Sequence, residues 1–378
     1  MDFDLTEEQT LLVDSLRKLL SDKYGFESRK AYAKSERGWS EEMWAAYAEM
    51  GLLGLPFAEE DGGFGAGLTE VCLVAEQMGR HLTLEPWFPT MVLGAGFLRH
   101  AGSAAQRGEL VPQIAGGDLR LAFAQTERQS RYDLFDVATT AKKDGSGYVL
   151  SGSKGMVLHG DSAGKFIVSA RTAGGTRDHT GLGLFLVDAA DVTVRGFRTV
   201  DAGRAAEVIL DGARGVALGD PEGGLAVIET VVAEAIAALA FEAVGCMDIA
   251  HNMTLDYMKT REQFGRSIGS FQALQHRAAD MMVALEQARS MSFYAVQAAG
   301  ESHPDERRRG GSAVKVQIGR SQRFVGQQSI QLHGGIAMTM EYACGHYFKR
   351  LTMNDSIFGD ADHHLRVLSD DGGLVRAA

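Results

Sequence analysis

The stretch from Gly224 to Thr260 limits the fold more than any other part of the chain. It reads as one helix of about 37 residues, ~55 Å long at 1.5 Å per residue. Its middle, AIAALAFEAVGCM, is apolar almost all round, so it has to be buried among other helices. A membrane span is the competing reading of so apolar a run. Glu229, Glu234, Glu242 and Asp248 argue against it, because carboxylates inside hydrocarbon are costly.

The C-terminal third supplies the neighbours. A Gly-marked break, QFGRSIGSFQ, leads to a second long helix at about 271 to 300. After ESHPDE a third runs from about 306 to 333, and a fourth is expected after His346. This is a bundle of long helices. The first third is helical as well. Thr6 to Gln9 (TEEQ) fits a capping box, with Leu12, Leu16, Leu19 and Leu20 at helical spacing behind it. A second helix is expected from Ser40 to Gly51, a third from Leu68 to about Arg80, and more helix between 88 and 116.

Between these blocks the texture changes. From Gly117 to about residue 216 the apolar residues come in short or alternating runs: LAFAQT, YVLSG, KFIVSA, GLGLFLVD, VTVRGF, AEVIL. Gly, Asp and Ser punctuate them, the pattern of an all-β domain. The expected fold class is α+β: an N-terminal helical domain (1–117), a middle β-barrel or sandwich domain (118–218) and a C-terminal four-helix bundle (219–378).

Composition narrows the function. The chain is 45% hydrophobic and 23% charged, an ordinary globular balance. A net charge of −11 disfavours a nucleic-acid partner, which needs clustered Lys and Arg. Cys72, Cys246 and Cys344 form no CxxC pair, and the acidic start MDFDLTEEQ lacks a signal-peptide pattern. A reducing cytoplasm is the expected location.

Three motifs carry a resemblance. Arg261 to Gln272 reads REQFGRSIGSFQ, Gln331 to Gly335 reads QLHGG, and FAQTER places Thr126 and Glu127 at the opening of the β domain. With the α–β–α order, these resemble the acyl-CoA dehydrogenase flavoproteins over essentially the whole length, and within them the small subunits of heteromeric pimeloyl-CoA dehydrogenase-type enzymes. The resemblance implies FAD as cofactor, an acyl-CoA substrate and an electron-transfer flavoprotein as acceptor. It implies α,β-dehydrogenation, with a glutamate taking the α-proton and N5 of FAD taking the β-hydride. It also implies that the flavin ring lies between β domain and bundle of one subunit, while its pyrophosphate and adenine reach the RxxFG and QxxGG motifs of the next. The residues implied in cofactor binding are Arg261, Gln263, Phe264 and Gln272, then Gln331, Gly334 and Gly335, and Thr126.

The chemistry of these residues suits that role. Arg261 offers a planar, permanently charged fork for phosphate oxygens. Phe264 offers an apolar ring face. Gly334 and Gly335 let backbone amides approach a phosphate.

Other parts of the family pattern are missing. Aligning the family Ser-Asp loop on Asp133 puts Arg131 and Tyr132 where a Gly-Ser pair is usual. The family Lys-x-Trp-Ile-Thr-Asn-Gly reads KGMVLHG here, so Met156 and Leu158 replace the tryptophan on the flavin and the threonine on N5. Leucine has no hydroxyl, and methionine is a flexible gap-filler. The usual base, the glutamate of Ile-Tyr-Glu-Gly-Thr, falls on Gly359 of IFGDADHH. The other family base position, 26 residues before the RxxFG arginine, is Ala235. Glu234 is its neighbour, turned by roughly 100° on a helix.

In DADHH, Asp360 and His364 share a helical face, a spacing that can bind metal, but no third ligand is near. The expected role is a capped helix start with Asp360 or Asp362 as N-cap, with a substrate or partner contact as the alternative. Two leading functions compete, with a relative of the same fold that oxidises a different substrate as a more remote third. In the first, the chain is the non-catalytic subunit of a heteromeric α₂β₂ acyl-CoA dehydrogenase in fatty acid or steroid catabolism. It clamps the FAD of a catalytic large subunit, with neither nucleic acid nor membrane as partner. In the second, it is a self-sufficient homo-oligomer that uses Glu234 as a displaced base.

Overall fold

A computed structural model of the chain describes residues 5–372; the first four residues of the acidic opening lie outside it. The chain forms two compact units. One comprises Met1–Lys30, Cys72–Thr83 and Ile236–Ala378, and the other Ala31–Val71 and Leu84–Ala235.

The helices begin with α1 (Glu7–Lys23), α2 (Phe26–Lys34), α3 (Glu41–Glu49) and α4 (Leu68–His81). Thr6 caps α1 through the expected box: its hydroxyl accepts from Gln9 N at 3.2 Å and the Gln9 side chain accepts from Thr6 N at 3.0 Å. Ser40 caps α3 through Met43 N. The helical stretch expected between 88 and 116 is three pieces: a π-helical segment Phe88–Gly94, α5 (Ala95–Ala101) and α6 (Ala104–Ala115). The short α2 carries too few apolar residues to stand out by periodicity.

Seven strands follow: β1 (Leu121–Ala124), β2 (Thr140–Asp144), β3 (Gly147–Leu158), β4 (Lys165–Arg171), β5 (Leu182–Asp188), β6 (Thr193–Arg198) and β7 (Arg204–Ala217). The pairings β4–β5, β5–β7, β7–β3, β3–β2 and β2–β4 close a ring, so this is a barrel. Leu150, Val157, Phe166, Val168, Phe185, Val208 and Leu210 fill its core. The β3–β7 register breaks between Lys154 and Val157, and Met156 sits in that break with φ 52°. The bulge re-aims the end of β3.

The last third holds α7 (Gly224–Thr260), a small hairpin of β8 (Glu262–Gln263) and β9 (Arg266–Ser267), then α8 (Gln272–Ala299), α9 (Pro304–His333), α10 (Cys344–Ser356) and α11 (Ala361–Asp370). The four expected bundle helices are present, and α11 adds a fifth. Two of the carboxylates of α7 are paired with cations inside the fold. Glu242 accepts from Arg350 at 2.5 and 2.9 Å, and Asp248 accepts from Arg80 at 2.5 Å with Arg289 at 3.5 Å. Glu242 is buried and Asp248 half-buried, each against a cation from another helix. Where α4 crosses α7, a Cβ on Gly79 would lie 2.2 Å from Glu242 O, and one on Gly245 2.2 Å from Glu76 O. Two backbones this close leave room only for hydrogen, so these glycines set the crossing.

Candidate functional site

The RxxFG and QxxGG motifs meet at one end of the bundle. Tyr257, one turn before Arg261 on α7, stacks on His333 of α9 with ring centroids 4.7 Å apart. Arg261 therefore follows one member of this pair, and Gln331, Gly334 and Gly335 flank the other. Phe264 is 92% exposed with φ 54°, at the tip of the β8–β9 hairpin. A bulky residue in the left-handed region, held out in water, marks a surface built for contact. Arg261, Gln263, Gln272, Gln331, Gly334 and Gly335 are exposed too. A Cβ on Gly334 or Gly335 would meet nothing within 4 Å, so both amides are approachable. A cationic fork, an aromatic face and open amides fit an anionic nucleotide end, so these residues suit FAD's pyrophosphate and adenine.

Thr126 belongs to the other unit, at the end of β1. Its carbonyl accepts from Gly155 N at 2.8 Å, which ties β1 to the bulge that carries Met156. Next to it lies a pair that the sequence reading missed. Lys154 Nζ, fully buried, donates to Glu127 Oε1 at 2.7 Å, Ser169 Oγ at 3.1 Å and Gln125 O at 3.2 Å. Burial alone would raise the Glu127 pKa, but the Lys154 charge and hydrogen bonds hold it down to about 2. Arg131 is exposed with φ 47°, Met156 is exposed, and Asp133 is held by Arg177 at 3.0 Å. The backbone is in the left-handed region at both Arg131 and Met156.

Glu234 is a buried carboxylate already engaged. Arg99 donates to it at 2.5 Å and His100 Nε2 at 2.7 Å, both from α5. Burial would raise its pKa; the His100 hydrogen bond and the Arg99 charge outweigh that and hold it below the usual carboxylate range. Ala235, at the family base position, is buried. Partners 135 and 134 residues away, Arg99 and His100, left no local signal at Glu234.

Gly359 has φ 108°, and a Cβ there would lie 2.6 Å from His364 Nε2 and 2.7 Å from His363 Cδ2. Asp360 is the N-cap of α11, accepting from His363 N at 2.8 Å. His364 bonds Ser312 Oγ through Nδ1 at 3.1 Å and Phe358 O through Nε2 at 3.0 Å. Burial, and after it the Lys315 ammonium, push its pKa down to about 3. Both its nitrogens are committed to protein partners, and Asp360 is spent on the cap. Among the described residues no group of three His, Cys, Asp or Glu side chains is arranged to hold a metal. Protein purified without chelators is therefore expected to carry no stoichiometric zinc. Elemental analysis checks this, and one equivalent lost on His364→Ala would overturn it.

Comparison with known proteins accounts for nearly all of the chain. Family models for the acyl-CoA dehydrogenase N-terminal, middle and C-terminal domains match residues 6–118, 122–212 and 222–371. A probable acyl-CoA dehydrogenase, YngJ of Bacillus subtilis, is 28% identical over 359 residues, covering 90% of this chain and 92% of its own. Among solved structures, a variant of the Tcur3481-Tcur3483 steroid ACAD is 32% identical with a TM-score of 0.88, covering 96% of this chain and 97% of that one. The ChsE4-ChsE5 complex from Mycobacterium tuberculosis is 26% identical with a TM-score of 0.88, and both chains are covered completely. The helical, barrel and helical domains, in that order and over that length, make this chain a member of the acyl-CoA dehydrogenase family, whose members are FAD-dependent flavoproteins.

Proposed function

We propose that this chain is the non-catalytic subunit of a heteromeric acyl-CoA dehydrogenase of the pimeloyl-CoA dehydrogenase type. It holds the adenine and pyrophosphate of an FAD whose ring pocket and base come from a catalytic large subunit. One observation carries the reading. The residue at the family base position is Gly359, in a conformation and a space that admit no side chain. The other base position is Ala235, and a methyl group accepts no proton. Arg261, Gln263, Phe264, Gln272, Gln331, Gly334 and Gly335, read here as the clamp, are by contrast present and exposed.

FAD, when bound, supplies the hydride acceptor for the α,β-dehydrogenation of the acyl-CoA. In this chain Arg261 binds phosphate oxygens, Phe264 covers a ring, and the amides of Gly334 and Gly335 complete the cradle. Two of the similar structures bear on the reading through their names, a Tcur3481-Tcur3483 pair and a ChsE4-ChsE5 complex. One of them is called a steroid ACAD, which supports a fatty acid or steroid thioester as substrate. An α₂β₂ heterotetramer, an electron-transfer flavoprotein as acceptor and a cytoplasmic location belong to the same proposal. Dye-reduction assays over a range of acyl-CoAs test it. The isolated chain is expected to be inactive, and turnover of ~1–10³ s⁻¹ from it alone would sink the reading.

A second reading keeps Glu234 as a displaced base in a homo-oligomer, favoured only by its place beside Ala235. The double engagement by Arg99 and His100 argues against it, because a carboxylate with a lowered pKa is a poor proton acceptor. Glu234→Gln separates the two. As a clip between α5 and α7, it should cost stability while the turnover of the active complex falls by less than about tenfold. As a base, it should cost 10²–10⁴ in rate.

A further inference from the structure

The segment 357–359 is held from two sides, by Lys315 and by His364. Lys315 of α9, fully buried, donates its ammonium to three carbonyls: Asp355 O at 2.9 Å, Ile357 O at 2.9 Å and Asn354 O at 3.3 Å. These are carbonyls at and beyond the C-terminus of α10, where helical partners run out and a cation is favoured. His364 of α11 holds the next carbonyl, Phe358 O, and is itself fixed by Ser312 of α9. Phe358 has φ 57° and Gly359 φ 108°, two successive residues in the left-handed region. Only glycine tolerates the second of these at little cost.

The volume beside Gly359 is filled as well as its conformation set. The Cβ of any other residue would fall 2.6 Å from His364 Nε2 and 2.7 Å from His363 Cδ2. Neither ring can swing aside freely. His364 is buried and bonded at both nitrogens, and the two rings stand edge to face with centroids 5.1 Å apart. Lys315 lies beside His364, and its ammonium, after burial, disfavours a charge on the imidazole. With the ammonium spent on three carbonyls, the imidazole stays neutral and donates from Nε2.

We infer that Lys315 and His364 are positioning residues: they hold segment 357–359 in a conformation closed to any side chain at position 359. The glycine is then one part of a three-residue lock, and a glutamate could not return there by a single substitution. The inference rests on reading the chain as base-free.

A thermal double-mutant cycle on the full chain tests the lock. Gly359→Ala should lower Tm by roughly 2–10 °C. In a His364→Ala background the same substitution should lower it by less, because the nearer of the two rings that the methyl would strike is gone, while His363 and the positive φ still oppose it. Equal drops in both backgrounds would overturn the lock. Should Gly359→Ala fail to fold, Lys315→Met gives an independent arm read by amide hydrogen exchange. Exchange at residues 357–359 should speed up at least tenfold while α8 is unchanged, and Lys315→Arg should restore part of the protection. Unchanged exchange at 357–359, or equal acceleration throughout the chain, would count against it. Neither arm reads turnover. An active isolated chain would therefore sink the base-free reading and leave the cycle intact, and an additive cycle would sink the lock alone.

Discussion

Purified alone, the chain is expected to carry far less than one equivalent of FAD; co-purified with its catalytic partner, one FAD per pair. The clamp residues all lie in the unit that takes up the chain from Ile236 onward, and all are exposed. Phe264 projects from its hairpin, its ring 6.2 Å from that of Phe271 and edge-on to it. Clamp residues alone give a cofactor too few contacts to overcome the entropy of binding it. Within the complex, Arg261→Ala should weaken FAD binding by about 1.5–3 kcal/mol, the scale of a hydrogen bond to a charged group. On the proposed division of the site, Met156→Trp should change little, because the partner would hold the flavin ring. Flavin absorbance per mole of protein, on the isolated chain and on the complex, reads all of this. A full equivalent of FAD on the isolated chain would mean that it owns a working ring pocket, and the non-catalytic proposal would fall.

The long helices were legible because each repeats one physical signal many times. Helix α7 occupies Gly224–Thr260, the span its composition indicates, and α8 and α9 agree with expectation to within a residue or two at most ends. The barrel was legible as β structure from its short alternating runs, but its closure was not. Closure depends on β4 pairing with both β2 and β5, contacts that no local pattern encodes. The π-helical segment Phe88–Gly94 was equally invisible, since its apolar residues satisfy helical spacing of any pitch.

At the candidate site, motif residues could be named but their partners could not. Gly359 shows a missing carboxylate at once. That His364 fills the place becomes evident only in three dimensions, although it is five residues away. Lys315 gave no sign of its role: it lies in VKVQ, an ordinary amphipathic helix, and its three acceptors come about forty residues later. Arg99 and His100 are hidden from Glu234 for the same reason. Long-range ion pairs depend on geometry, and geometry is what a single sequence states least directly.

The buried pair in the barrel should dominate the stability of its unit. Glu127→Gln is expected to destabilise the protein by about 3–5 kcal/mol, because it strands a fully buried ammonium. The glutamate serves more than Lys154. It also accepts from Ala138 N at 2.8 Å, Thr139 N at 3.0 Å and Gln129 Nε2 at 2.8 Å, so it stitches the loop before β2 to β3. Lys154→Met should cost less than Glu127→Gln, since those three donors stay with the carboxylate. The double variant should cost less than the sum of the two, because neither leaves the other's charge unpaired. The pH dependence has a definite sign. Glu127 titrates near 4.5 when unpaired and at about 2 in the fold. Its contribution is therefore complete above pH 4.5 and is lost as pH falls from 4.5 toward 2. Wild-type protein should lose stability across that window, and Glu127→Gln should show a flatter acid limb. Denaturant unfolding at pH 7 and at a series of acid pH values measures both effects. A loss below about 1 kcal/mol at pH 7, or parallel acid limbs, would mean that the pair is far better hydrated than its burial indicates.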